Sequence, residues 1–465
     1  MGDDHALHAA LERMRADGAG EAPRRVFADH WRQVASGATG LIAEADIEPV
    51  GALPRLEELA DDLDSQAVAL RRTVVIRLNG GLGTSMGLHR AKSLLPVRDG
   101  LTFLDLIARQ VLDLRERHGA DVPLLLMDSF STRADTLEAL AAYRALATHG
   151  LPLDFLQHRQ PKLLVDSLEP VAWPAAPELE WCPPGHGDLY PALVATGLLD
   201  RLLEVGMTHA FVANADNLGA TLDPRIPAWM DAEGVPFVME VATRTANDRK
   251  GGHLARRRAD GQLVLRESAQ TSEDDLPALQ DVTVHRYMNT NNLWLDLRAL
   301  ARVLAERDGV LGLPLIRNRK TVDPTDPTSA PVYQLESAMG AAIEVFDGAR
   351  ALHVPRSRFA PVKTTDELLL VRSDAYRLDG SWHLELDPVR AGRAPEVALD
   401  RSTFGMVDDF DSRFAAGVPS LVACDRFEVT GDVSFGAGVV ARGDVRVAAP
   451  VGERLDIPAG AVLGA

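Results

Sequence analysis

The segment Arg77 to Pro96 reads RLNGGLGTSMGLHRAKSLLP, an apolar run that empties into Gly80, Gly81, Gly83 and Gly87 before reaching Lys92. Glycines let backbone approach a ligand closely and turn N–H groups toward phosphate oxygens, so the stretch is read as an anion-binding loop. It is neither of the two common nucleotide loops. A dinucleotide fingerprint needs G-x-G-x-x-G, and from Gly81 its last position falls on Met86; the G-x-x-x-x-G-K-[ST] phosphate loop has no register here. Lysine is a second pointer, because only Lys92, Lys162, Lys250, Lys320 and Lys363 occur among 49 basic residues. In a chain so rich in arginine, a retained lysine marks a place where a compact ammonium on a flexible stem is needed, although a lone lysine is also an ordinary solvated charge. The third is Asp216, in VANADN after an apolar run. A carboxylate at a strand end suits Mg2+, a hard ion that takes few protein carboxylates and completes its shell with substrate phosphates. Taken alone, an Asp among asparagines is more readily an Asx turn.

These groups need a scaffold. Thr73 to Leu78, Pro123 to Met127, Ala210 to Ala213 and Pro236 to Val241 read as buried strands alternating with helical patterns, an α/β layout. The helix after the first strand is bounded by its ends: Thr102 with Asp105 forms a capping pair, Phe103, Ile107, Val111 and Leu114 make the apolar stripe, and Gly119 closes it. Strand, glycine loop and helix therefore follow in order. Residues 1–65 read as a covering segment of amphipathic helix and loop, with Leu7, Leu11 and Met14 at helical spacing. Alternation continues to about Tyr376, and the catalytic unit is placed at 66–385. In 386–465 the stretch VTGDVSFGAGVVARGDVRVAAPVGERLDIPAGAVLGA repeats small turns around single valines and leucines, which suits the short coils of a β-solenoid that packs on the main domain or on another subunit.

Composition bounds the rest. At 465 residues the chain exceeds a single core, which stops growing at roughly 250 to 300 residues. Apolar residues make up 46% of it, and no stretch approaches the roughly 18 unbroken apolar residues of a membrane helix. The start, MGDDHALHAALERM, carries acids where a secretory signal carries bases, so a cytoplasmic protein is expected. Cys182 and Cys424 lack the paired spacing of a zinc site and read as reduced thiols. A net charge of −18 argues against nucleic acid or an anionic membrane as the main partner.

The glycine segment resembles the signature of the eukaryotic-type UTP:glucose-1-phosphate uridylyltransferases, L-N-G-G-L-G-T-x-M-G followed by P-K-S. Further matches follow in order: MDSF (127–130), WCPPGHGDLY (181–190), VANADNLGA (212–220), KGG (250–252), MNTNNLW (288–294), QLESAMGAAI (334–343) and VPRSRFAPVKTTDELLL (354–370). Two positions depart from the pattern: Ala91 stands where the family has proline, and Asp128 where it usually has asparagine. The resemblance implies a central Rossmann-like, glycosyltransferase-A-like mixed sheet with an N-terminal helical segment and a C-terminal left-handed parallel β-helix. It implies Lys92 and Lys363 on opposite sides of the nucleotide phosphates as the catalytic cations, and Asp216 as the Mg2+ ligand. It assigns UTP to Leu78, Asn79, Gly80, Gly81, Gln157, Gly185 and Asn214, and the sugar phosphate to His186 and Asn291. Trp294 reads as core.

By that resemblance the expected reaction joins UTP and glucose 1-phosphate to give UDP-glucose and pyrophosphate. Two other readings compete: a uridylyltransferase for galactose or N-acetylglucosamine 1-phosphate, since specificity moves with pocket-lining changes, and a non-catalytic nucleotide-binding protein that uses its solenoid for assembly.

Overall fold

Strand β2 (Thr73–Asn79) is apolar on both faces because it lies inside a ten-stranded mixed sheet of this computed structural model, which describes residues 2–245, 248–249 and 251–464. The other strands are β1 (Ile47–Pro49), β3 (Leu124–Asp128), β4 (Asp154–Leu156), β5 (His209–Asn214), β6 (Phe237–Thr243), β7 (His253–Arg257), β8 (Leu263–Arg266), β9 (Tyr287–Asp296) and β10 (Arg350–His353). Their main order is β1-β7-β9-β5-β2-β3-β4, with β6 between β9 and β10 and β8 beside β7. Strands β5, β2, β3 and β4 are mutually parallel, and β9 runs antiparallel to β5, β6 and β7. From β2 the chain steps to β3 and β4 on one side, then returns to β5 on the other. The strand order therefore reverses between β2 and β5, and in open α/β sheets a ligand crevice opens at such a reversal, beyond the carboxyl ends of the strands. Those ends are Asn79 and Asn214.

Both faces of the sheet are covered, as near-continuous apolar strands require. Val74, Ile76, Leu125, Met127 and Val212 pack on one side, while Val75, Leu124, Leu126, Phe211 and Ala213 meet Leu104, Ile107, Val111 and Leu114 on the other. Those last four belong to the helix Phe103–His118, whose ends are as read: a capping box between Thr102 and Asp105, and Gly119 left-handed at φ 55°. Trp294 is fully buried and stacks on Phe211 with ring centres 4.5 Å apart, a core residue as expected.

The N-terminal part forms two helices, α1 (Gly2–Ala16) and α2 (Glu21–Ala35), rather than one. Leu7, Met14, Phe27 and Trp31 bury against Leu163, Leu315 and Leu335, so the pair caps a small accessory sheet beside the crevice. At the C-terminal end, strands β11 (Glu396–Leu399), β12 (Ser420–Thr430), β14 (Val440–Ala448) and β16 (Val462–Leu463) pair in parallel, and β13 (Asp432–Phe435) pairs in parallel with β15 (Arg454–Ile457). Leu421, Phe427, Val433, Phe435 and Val445 fill the space between them and join one apolar cluster with Phe103, Leu106 and Leu369.

Candidate active site

The cleft opens where the topology places it. A cavity of about 300 Å³ is lined by Leu78, Asn79, Gly80, Gly81, Lys92, Gln157, Gly185, His186, Asn214 and Asp216, together with Ser93, Met127, Pro183 and Ala215. Segments far apart in the chain thus deliver the expected phosphate, base and metal residues to one place. Lys92 Nζ donates to Asp216 Oδ2 at 2.6 Å across the reversal. The Lys92 stem is held by its loop, whose N–H at residue 92 donates to the Gly81 carbonyl at 3.0 Å.

Gln157 lies directly over Gly80. A Cβ at that glycine would sit 2.7 Å from Gln157 Nε2, so only glycine lets the amide settle on the strand end. Gln157 is fixed from below by its own N–H, which donates to the Asp128 carbonyl at 2.8 Å. From the side it is fixed through its neighbour: the His158 N–H donates to Asp188 Oδ2 at 2.6 Å, and the same buried carboxylate meets His158 Nδ1 at 3.0 Å. This clamp ties the segment just after β4, which carries Gln157, to the turn that carries Gly185 and His186.

His186 has its ring accounted for on one side, since the Met339 N–H donates to Nδ1 at 2.9 Å. The proton of the neutral ring is thereby left on Nε2, free to donate. Burial, followed by the positive charge of Lys363, pushes its pKa down to about 4, so it serves as a neutral donor at ordinary pH. Ser93 adds a buried hydroxyl that has no protein partner among the described residues.

Lys363 and Asn291 do not line this cavity. Lys363 is exposed, one residue beyond Val362, whose N–H donates to the Asp216 carbonyl at 3.2 Å. It makes no ion pair among the described residues, yet its charge bears on His186 and on half-buried Glu267. Lys363 therefore follows a segment whose backbone is pinned to the Asp216 turn. Asn291 is left-handed at φ 58°, and Asn289 Nδ2 donates to its Oδ1 at 2.8 Å, while the Asn291 N–H donates to Asn289 Oδ1 at 2.9 Å. The two asparagines thus bond to each other within β9, and neither is among the residues that line the cavity.

Two other lysines resolve without chemistry. Lys162 is buried, its pKa lowered by that burial, and its Nζ donates to the Val322 carbonyl at 2.9 Å. Lys320 is exposed on the accessory sheet. Lys250 of the KGG match lies outside the described residues. Asp128 is fully buried at the end of β3, accepts from Asn79 Nδ2 at 2.7 Å, and keeps its other oxygen without a partner among the described residues. Burial pushes this carboxyl up to about 6.

The glycine loop is also seated from the C-terminal end of the chain. Met86 points into the cluster of Phe404, Phe410 and Phe427, and a Cβ on Gly87 would lie 3.1 Å from Met406 Sδ.

A glycine-lined strand end, a cation facing a carboxylate and a neutral imidazole define an α/β phosphate-handling site of the nucleotide-transferring class. The family model for UTP–glucose-1-phosphate uridylyltransferase matches residues 25–442, and the chain belongs to that family. The Solanum tuberosum UTP–glucose-1-phosphate uridylyltransferase is 41% identical over 412 residues, covering 88% of this chain and 83% of the plant protein. The Saccharomyces cerevisiae enzyme of the same name is 43% identical over 396 residues, 85% of this chain and 77% of the yeast one. Among solved structures, a UDP-glucose pyrophosphorylase variant from Leishmania major in complex with UDP-glucose superposes with a TM-score of 0.93 at 44% identity, covering 98% of both chains. UDP-glucose phosphorylase from Trypanosoma brucei gives 0.92 at 44% identity, over 99% of this chain and 98% of that one.

Proposed function

We propose that this protein is a UTP–glucose-1-phosphate uridylyltransferase, forming UDP-glucose and pyrophosphate. A phosphate oxygen of glucose 1-phosphate bonds to the α-phosphorus of UTP in line, and the bond from that phosphorus to the bridging oxygen of pyrophosphate breaks. Both reactants are polyanions, so the protein lowers the barrier by alignment and by cations placed where charge develops. Lys92 serves the phosphates from the glycine loop and Lys363 from the opposite side of Asp216. Gln157, held against Gly80, together with the backbone at Leu78 to Gly81, Gly185 and Asn214, receives the nucleotide. His186 donates from Nε2 toward the sugar phosphate, and Asn291 is the contact proposed for sugar hydroxyls, an amide being able to donate and accept.

The donor set suits Mg2+. Asp216 already holds a cation, the Lys92 ammonium, and no group of three or more metal-ligating acids, histidines or cysteines occurs among the described residues. A single carboxylate fits an ion that shares its shell with substrate phosphates. Bound there, Mg2+ would supply charge neutralisation to the polyphosphate. The observation that carries the reading is the Lys92 to Asp216 contact across the reversal between β2 and β5, inside a cavity roofed by Gln157.

The finer architecture is part of the same proposal: a covering segment at 1–65, a catalytic domain at 66–385, and a left-handed parallel β-helix at 386–465. The same region is the proposed contact for a second copy, and exposed Val451 and Val462 on it are consistent with that. No described helix is long and apolar enough to cross a membrane, and a cytoplasmic location is the reading adopted.

The test is a panel of sugar 1-phosphates with UTP and other nucleoside triphosphates in Mg2+, following pyrophosphate. Glucose 1-phosphate with UTP should lead. A clear preference for galactose or N-acetylglucosamine 1-phosphate would reassign the substrate, and no release with any pair would leave the non-catalytic reading standing.

A further inference from the structure

Asn217 follows the proposed metal carboxylate and is buried, yet every hydrogen-bonding site of its amide is used. Its Nδ2 donates to Asn292 Oδ1 at 3.1 Å and to the Arg358 carbonyl at 3.2 Å. Its Oδ1 accepts from the Gly219 N–H at 3.1 Å and from the Ala360 N–H at 2.8 Å. One side chain thus joins the turn after β5, strand β9 and the segment leading to Lys363. The backbones are joined as well, by an antiparallel bridge between Asn217 and Pro361 and by the Val362 N–H on the Asp216 carbonyl.

A second feature, independent of the amide, says the same. A Cβ on Gly219 would collide with the Ser357 carbonyl oxygen and would sit 2.7 Å from the Arg358 carbonyl carbon. The obstruction is backbone, which cannot swing away as a side-chain tip can. The Lys363 segment therefore lies so close on this turn that only glycine admits it. It is anchored behind by a buried ion pair: Arg358 Nε and Nη2 donate to Glu240 at 2.7 and 2.6 Å, and Asn292 Nδ2 and Trp294 Nε1 complete that carboxylate at 3.0 and 2.8 Å. Buried networks with every member satisfied hold one geometry.

We infer that Asn217 is a positioning residue, which with Gly219 sets the placement of Lys363 relative to Asp216 for uridylyl transfer. The inference rests on the uridylyltransferase reading. Lys92, the glycine loop and Gln157 stand on other segments and are not carried by this weld. Loosening it therefore displaces one cation from the reacting phosphorus while leaving nucleotide binding in place. A misplacement of about 1 Å costs on the order of 100-fold in rate.

The experiment measures N217S and G219A in the full-length protein, each alone and combined with K363A, with UTP and glucose 1-phosphate. Each single variant should lose about 10- to 100-fold in kcat, with KM for UTP changed less than about threefold. In the K363A background the same substitutions should cost less than about threefold, because the group they position is gone. Multiplicative losses in that background, near-normal turnover of either single variant, or failure of both to fold would overturn the role and leave Asn217 a fold-stabilising residue. Wild-type protein and K363A in the same assay separate the two ideas. An inactive wild type, or K363A at near-normal rate, sinks the parent reading, whereas multiplicative losses with both as expected sink only this one.

Discussion

Lys92 Nζ and Asp216 Oδ2 stand 2.6 Å apart, joining the end of the glycine loop to the turn after β5. Their side chains are 15% and 20% exposed, so water moderates the attraction and the pair is a modest source of stability. Its value is positional, since each group keeps the other inside the cavity. Asp216→Ala should lower kcat by about 100- to 1,000-fold and flatten the dependence of the rate on Mg2+. Initial rates over a Mg2+ series check this, with far-ultraviolet circular dichroism to show an intact fold. A variant that keeps the wild-type Mg2+ response would remove Asp216 from the metal role.

Lys363 is exposed and lies at a chain segment rather than in the core. Replacing it by alanine should leave the melting temperature close to that of the wild type and cost about 100- to 1,000-fold in turnover. Turnover within a few-fold of normal would show that its charge is not used on the reacting phosphates.

Gly80 faces the flexible end of Gln157, not backbone. In Gly80→Ala the amide can move aside, so the fold should survive while nucleotide binding suffers. We expect KM for UTP to rise about 10-fold, the cost of roughly one misplaced hydrogen-bonding contact, with kcat less affected. Steady-state kinetics with UTP varied decides it, and an unchanged KM would place the base elsewhere.

The His158 clamp acts one step further out. In His158→Ala the backbone bond to Asp188 persists and only the ring contact is lost. A smaller rise in KM for UTP, about threefold, is expected. A fall in kcat with unchanged KM would point to a different role for the imidazole.

Asp128 makes a prediction about pH. Its carboxyl is raised to about 6, above an unfolded value near 3.9, so the folded state holds its proton more tightly. The resulting stabilisation is complete below about pH 4 and is lost as pH rises through about 6, leaving a buried charge at neutral pH. Asp128→Asn has no such slope. From pH 4.5 to pH 8 it should therefore gain on the wild type by an amount on the order of 2 kcal/mol, read from melting temperatures or denaturant midpoints at each pH. Parallel pH curves for the two proteins would contradict the assignment.

How far the sequence carried depends on whether a feature is local. Capping box, apolar stripe and Gly119 all sit within one helix, and they were readable because their spacing is periodic. The strands around Val74, Leu125 and Val212 announced themselves as short apolar runs. The glycine loop is legible in its own residues, whereas Gln157, His186 and the metal role of Asp216 come only from resemblance; all of them line one cavity, while Asn291 bonds to its neighbour Asn289 and is not among the lining residues. What the sequence withheld is pairing at long range. Nothing near Glu240 points to Arg358, nothing near Asp188 to His158, and the four bonds of Asn217 come from three separate segments. The scarcity of lysine was a mixed guide, since Lys162 survives as a buried donor to a carbonyl.

The seating of Met86 among Phe404, Phe410 and Phe427, and of Met406 over Gly87, has a consequence for biosynthesis. A ribosome releases the nucleotide loop long before it has made the residues on which that loop rests. Translation at roughly 5 to 20 residues per second then leaves an interval of many seconds in which the nascent chain owns a complete set of cleft side chains without the floor beneath them. The loop accordingly gains its packing partners only once residues 404 to 427 have been made.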